Sequence, residues 1–197
     1  MKNSEKIFRK VKWSSSLVWA GCLLGALGLF LFPLFSIPGE SLAARESVSL
    51  EHKLKAAFTF NFIKFIDWPK EDSNGKFTLY LLGAGPINDA LSDLDGKEIS
   101  GRTLTVQEID GVEEGNQPGI LFVNVSKKRS LSNILEKARE KGMLTIGEMD
   151  GFCDQGGIIN FVIRDDSINF EINLKEAKRS RLSISYKLLN QAIKIYK

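Results

Sequence analysis

Apolar positions along the chain fall into distinct patterns, and each predicts a different element. Between Val48 and Ile66, the residues Leu50, Leu54, Ala57, Phe58, Phe62 and Phe65 recur at the spacing of one helical face. Phe60 and Ile63 add apolar surface on the other side, so the second half of this helix is expected to be enclosed, with Asn61 as a buried hydrogen-bonding amide. Trp68-Pro69 ends it, because the residue before a proline is pushed out of the helical region. Phe77–Leu82 predicts a short strand closed by Gly83-Ala84-Gly85-Pro86, a helix follows over 87–94, and Thr103–Ile109 alternates like a strand.

Ile120–Val125 is a nearly unbroken apolar run, which predicts a strand covered on both faces, as in parallel sheets. Ser126 is placed to cap a helix running to about Lys141, with Leu131, Ile134, Leu135 and Ala138 facing inward. Met143–Ile146 then makes another strand, and this succession of strand, helix and strand implies right-handed crossovers. The last third changes style. Ile158–Ile163 and Ile168–Ile172 flank Arg164-Asp165-Asp166-Ser167, a charged turn suited to a hairpin. In the second run Ile168, Phe170 and Ile172 alternate with Asn169, Glu171 and Asn173, so one face is core and the other polar. Asn173 and Glu176 form a capping pattern, and a final helix over Ile184–Tyr196 carries Ile184, Leu188, Ala192 and Ile195 on one stripe. The expected fold is a single α/β domain over residues 44–197, with a mostly parallel central sheet flanked by helices and a C-terminal β-hairpin.

The first 43 residues read differently. Residues 1–16 are polar and basic, and Leu17–Phe35 then run nineteen residues without a charge. As a helix that stretch would reach about 28 Å, close to the roughly 30 Å hydrocarbon core of a bilayer. Pro33 and Pro38-Gly39 interrupt it, and Ser41-Leu42-Ala43 places small residues where a signal peptidase reads. Residues 1–43 are therefore a signal peptide cleaved after Ala43 or Ala44, or a retained N-terminal membrane anchor. Either reading exports the remainder, so the expected location is periplasmic.

Charge narrows the partners. The 197-residue chain has 27 basic and 24 acidic side chains, of which five basic and two acidic fall in residues 1–43, leaving 22 of each in the exported part. A balanced domain lacks the positive field that non-specific nucleic-acid binding requires.

Candidate chemistry is sparse. His52 is the only histidine and Cys153 the only cysteine beyond the leader, so no zinc-ligand spacing and no Cys-His signature is visible. Cys153 is either buried and inert or paired between chains. Gly83-Ala84-Gly85 has the start of a dinucleotide loop, but the third glycine position is Asn88 and Pro86 interrupts it. The segment Asp150-Gly151-Phe152-Cys153-Asp154-Gln155-Gly156-Gly157 is either a mobile binding loop or a connection that needs glycine dihedrals. With no catalytic constellation, no metal ligands and no cofactor motif, binding is expected rather than catalysis.

Lys55-Ala56-Ala57-Phe58, Asn61-Phe62 and Lys64-Phe65 leading to Trp68-Pro69 resemble the opening of the YfiR family of exported regulatory proteins. Gly101-Arg102, Gly156-Gly157-Ile158-Ile159-Asn160-Phe161 and Phe170-Glu171-Ile172-Asn173-Leu174 with Ala177 match further along, as do Leu182-Ser183-Ile184-Ser185 and Leu188-Leu189. The resemblance spans about residues 50–196. It implies a periplasmic repressor that holds the extracytoplasmic sensor domain of an inner-membrane diguanylate cyclase inactive, lowering cyclic di-GMP. It also implies an outer-membrane lipoprotein as a second partner. Some relatives carry disulfide pairs, which Cys153 alone cannot form. A second copy of the chain is a further candidate partner.

The partner surface is expected on the C-terminal hairpin and helix, at Glu171, Leu188, Gln191 and Ile193, with Trp68 as a second candidate. The alternative is a small-ligand sensor whose pocket lies at the carboxyl ends of the strands, between Gly83–Pro86 and the loop around Phe152.

Overall fold

The helix predicted from the Leu50–Phe65 stripe is present and packs its second half against the sheet. In the computed structural model, which describes residues 40–68, 75–117 and 119–197, α1 runs Glu40–Phe62 and continues as a 3-10 turn over Ile63–Phe65. Of the leader or anchor expected over residues 1–43, residues 1–39 lie outside the described residues. Next come β1 (Ile66–Asp67), β2 (Lys76–Leu82), α2 (Asn88–Ser92), β3 (Glu98–Ile99), β4 (Arg102–Ile109) and β5 (Gly119–Val123). The second half contains α3 (Leu131–Glu140), β6 (Leu144–Gly147), β7 (Ile159–Arg164), β8 (Ser167–Asn173), α4 (Leu174–Arg179), β9 (Ser183–Ile184), α5 (Tyr186–Leu189) and β10 (Lys194–Tyr196).

Eight strands form one sheet in the order β10-β8-β7-β6-β5-β2-β4-β3, while β1 and β9 pair separately. Neighbours among β4, β2, β5, β6 and β7 are parallel, β3 and β8 run antiparallel to β4 and β7, and β10 lies parallel to β8. The chain enters the parallel set at β2, places β4 on one side, then crosses to β5, β6 and β7 on the other. This is a doubly wound α/β plan.

Strand composition follows from burial on both faces. Leu79, Leu81, Ile120, Phe122, Leu144 and Ile146 join the core under α1 and α2, with Phe62, Ile87 and Leu91. Their neighbours Tyr80, Leu82, Leu121 and Val123 point the other way and meet Leu131, Leu135 and Ala138 of α3. Phe62 stacks on Phe161 and meets Phe170 edge-on, at centroid distances of 5.8 and 5.1 Å, which ties α1 to the β7–β8 hairpin. At the hairpin tip Asp165 and Asp166 both have positive φ, 51° and 54°, as a two-residue type I′ turn requires.

Four local expectations are corrected. The continuous helix over Ile184–Tyr196 is replaced by β9, α5 and β10. Ile193 donates its N–H to the Phe170 carbonyl at 3.0 Å, after which Lys194–Tyr196 pair with Glu171–Asn173. Ile193, Ile195 and Tyr196 are β-branched or aromatic, and their strand preference wins once an open sheet edge is available. Ser126 does not cap a helix, because residues 125–130 form a 3-10 turn and its hydroxyl donates to the Ala84 carbonyl at 2.9 Å. Asn61 is exposed, donating to Ala57 O at 2.9 Å, since Phe62 and Ile63 take the inward positions. Leu50 and Leu54 stand 58% and 45% exposed and Ala57 is exposed as well, so of the apolar stripe only Phe58, Phe62 and Phe65 are covered, Phe62 fully.

Candidate functional site

In doubly wound sheets ligands bind outside the carboxyl ends of the strands, where neighbouring connections leave for opposite faces. Here that point lies between β2, whose connection leads to α2, and β5, whose connection leads to α3. The crevice is filled by the protein itself. Buried Asn124, just after β5, donates to the Gly83 carbonyl at 2.8 Å and to Asn88 Oδ1 at 3.0 Å. A methyl group on Gly85 would fall 1.8 Å from Asn124 Oδ1, so glycine here admits the amide, not a phosphate. The pocket expected between Gly83–Pro86 and Phe152 is therefore occupied by side chains at both ends.

At the other end, the glycine-rich loop is a packed connection. Phe152 is fully buried, and a Cβ on Gly157 would lie 2.1 Å from its ring, one on Gly147 2.8 Å. Three buried polar side chains fasten the surrounding backbone. Asn160 Oδ1 accepts from Met149 N at 3.1 Å, Asn173 Nδ2 donates to Cys153 O at 2.8 Å, and Thr145 Oγ1 accepts from Ile158 N at 3.0 Å. Cys153 is buried and free. Burial, followed by the Glu171 and Asp154 carboxylates, pushes its thiol up to about 12.

Three of the five residues expected to contact a partner meet along the β8–β10 edge. Glu171 is half-buried in β8, in register with Lys194 of β10. Its Oε2 lies 3.2 Å from the Tyr196 hydroxyl, which is equally close to Asp154 Oδ2 and accepts from Lys194 Nζ at 2.7 Å. The hydrogen bond to Tyr196, together with the two carboxylates, raises the Lys194 pKa. Gln191 is exposed, donating to Lys187 O at 3.3 Å, and Ile193 is 39% exposed immediately before β10.

The other two candidates sit elsewhere. Leu188 is only 2% exposed and belongs to the core beneath this edge, so it supports the surface rather than forming it. Trp68 packs edge-on against Phe77 at 4.6 Å, at the end of β1, as a half-buried core anchor.

Sequence reasoning missed two features of this surface. Tyr186, 76% exposed at the start of α5, carries the most accessible aromatic ring near the C-terminus. Tyr196 falls within the predicted C-terminal helix but stands on β10, and the alternation of Ile193, Lys194 and Ile195 carries the strand signal. Among the described residues, no three His, Cys, Asp or Glu side chains converge as a metal site would require, and no helix is long and apolar enough to cross a membrane.

This geometry defines a doubly wound α/β domain with a filled crevice and an exposed C-terminal edge, and comparison with known proteins places it further. Residues 52–193 match the profile of the YfiR/HmsC-like family (DUF4154), and the chain belongs to that family. No curated protein matches it. Among solved structures, it is similar to a conserved domain protein from Vibrio cholerae O1 biovar El Tor, with a TM-score of 0.50 and 8% identity. That alignment covers 73% of this chain and 60% of the other. An ABC domain in complex with L-Trp from Streptococcus pneumonia aligns with a TM-score of 0.48 and 11% identity, over 71% of this chain and 60% of that one. At 8% identity the likeness to the Vibrio cholerae protein is one of fold. The chain spans about 60% of the length of both structures.

Proposed function

We propose that the protein is a non-enzymatic periplasmic regulator that represses an inner-membrane diguanylate cyclase by binding its extracytoplasmic sensor domain. Family membership over residues 52–193 carries the reading. The filled crevice supports it, because the fold's usual ligand position is taken by Asn124. The contact surface is the C-terminal edge, with Gln191 and Ile193 exposed beside Glu171 and Tyr186 at the start of α5. A repressor of this kind must prefer one state of the sensor. Moving that equilibrium from 1:99 to 99:1 takes a preference of about 10⁴-fold. An outer-membrane lipoprotein that competes for the same edge would release the cyclase.

The test uses the protein, recovered from the cell envelope, as bait for detergent-solubilised membrane proteins. A diguanylate cyclase with an extracytoplasmic domain is expected to co-purify. Ile193→Asp and Glu171→Lys should lose it and relieve repression in cells while keeping the wild-type melting temperature. Leu188→Asp is unsuitable, because it puts a charge in the core. Recovery of no membrane receptor by a folded bait, or full repression by Ile193→Asp, would refute the proposal.

A further inference from the structure

Charge that balances over the exported part is segregated within it. Residues 174–197 contain seven basic side chains (Lys175, Lys178, Arg179, Arg181, Lys187, Lys194 and Lys197) and one acidic one, Glu176. That single carboxylate is buried and already engaged, with Arg179 at 2.8 Å and Arg139 at 3.9 Å. A net side-chain charge of +6 is thus left on residues 174–197.

Part of this charge converges on one hollow. Where α4 meets the end of β10, a half-open cavity of about 450 Å³ is lined by Leu174, Lys175, Lys178, Arg179 and Lys197. The volume falls in the range of small-molecule sites, roughly 300–1,000 Å³. Four of the five lining residues are cations, and none is acidic, yet the lining surface is almost wholly apolar. The two facts fit together only if Leu174 and the methylene stems form the walls while the charged heads stand at the rim, as long cationic side chains do. Lys175, Lys178 and Lys197 have no ion-pair partner among the described residues.

From this we infer that the cavity binds a small anionic amphiphile, a carboxylate or phosphate joined to a short apolar body. The apolar portion would displace water from the Leu174 floor. Its anionic head would take charge-assisted hydrogen bonds from Lys175, Lys178 and Arg179. Neither part suffices alone, since a bare anion leaves the apolar walls wet and an apolar molecule leaves the cations unpaired. The site adjoins β10, but the inference rests on the cavity and not on the proposed repressor role.

Calorimetric titration of the purified protein with hexyl phosphate, hexanoate, inorganic phosphate and hexylamine tests it. Hexyl phosphate and hexanoate are expected to bind at least about tenfold more tightly than inorganic phosphate, with no heat from hexylamine. The double variant Lys175→Glu/Lys178→Glu, both positions exposed, should lose that binding at an unchanged melting temperature. The control Lys127→Glu/Lys128→Glu should keep it. Equal affinity for inorganic phosphate and hexyl phosphate overturns the proposal, as does binding that survives Lys175→Glu/Lys178→Glu. Sedimentation with phosphatidylglycerol vesicles separates the sources. Vesicle binding with no response to hexyl phosphate would make the region a membrane contact and likewise overturn the cavity.

Discussion

Lys55 keeps only 5% of its surface exposed, and a buried ammonium is costly unless carboxylates meet it. Glu148, beyond β6, lies at 2.8 Å, and Glu51, one turn earlier on α1, pairs with it as well. This cluster fastens the helix to the carboxyl end of the sheet. Burial pulls the Lys55 pKa down, but the two carboxylates outweigh it and hold it above the ordinary 10.5. A raised folded pKa means that the contribution is complete below pH 10.5 and is lost as pH rises through the folded value. Lys55→Met is therefore expected to cost about 1–3 kcal/mol in neutral urea melts, leaving two carboxylates unpaired. It should also remove the loss of stability expected of the wild type as pH rises past 10.5. Equal stability of variant and wild type at pH 7 would show that the pair merely offsets its own desolvation. Cys153 makes a parallel case. With its thiol raised to about 12 and buried, it should resist iodoacetamide at pH 8 in the native protein and react at once in urea. Rapid native labelling would mean that the β8–β10 edge opens readily.

At the scale of elements, what was legible in the chain depended on whether local pattern and tertiary setting agreed. The buried parallel strands were readable because Ile120–Val123 and Leu79–Leu82 are apolar on both faces and meet cover on both. The β7–β8 hairpin was readable from its alternation and its Asp165-Asp166 turn. The C-terminal segment was not, because Ile184, Leu188, Ala192 and Ile195 suit a helical stripe equally well, and only the open edge of β8 decides for a strand. Likewise composition leaves the glycine-rich loop open between a mobile loop and a packed connection, because it does not reveal that Phe152 turns inward onto Gly147 and Gly157. Gly157→Ala tests that packing. The new methyl meets the Phe152 ring, and overpacking of this kind costs about 1–3 kcal/mol. Phe152→Leu in the same chain should recover part of the loss, so a double-mutant cycle by denaturant melts should give a coupling distinct from zero. Ile195→Pro addresses the edge. A proline in β10 removes a donor from the pairing with β8, so Cys153, beneath Glu171, should become reactive at a few-fold higher rate. An unchanged rate would mean that the thiol is protected by the loop alone.

For the whole molecule, the question is how much chain the fold needs. The described part of α1 begins at Glu40, so the expected cleavage after Ala43 or Ala44 falls within its first turns. Among the described side chains, the contacts that tie α1 to the body lie beyond that point: Lys55 to Glu148, Phe58 to Phe161 and Phe170, and Phe62 to the same two rings. Residues Pro38–Lys197 also form one compact unit by their internal contacts. Cleavage would therefore leave each of these contacts in place. The turns removed are expected to contribute little, since terminal helical turns in general leave orphan backbone groups to water. A chain starting at Ala44 should melt within about 1–2 °C of the full-length protein, which for a domain of this size corresponds to about 0.3–1 kcal/mol. Intact-mass measurement of the protein recovered from the envelope should give a chain beginning at Ala44 or Arg45. A full-length mass in the membrane fraction would establish the retained anchor instead. In that case the protein is tethered to the inner membrane, and its effective concentration at the proposed membrane sensor would rise without any new contact.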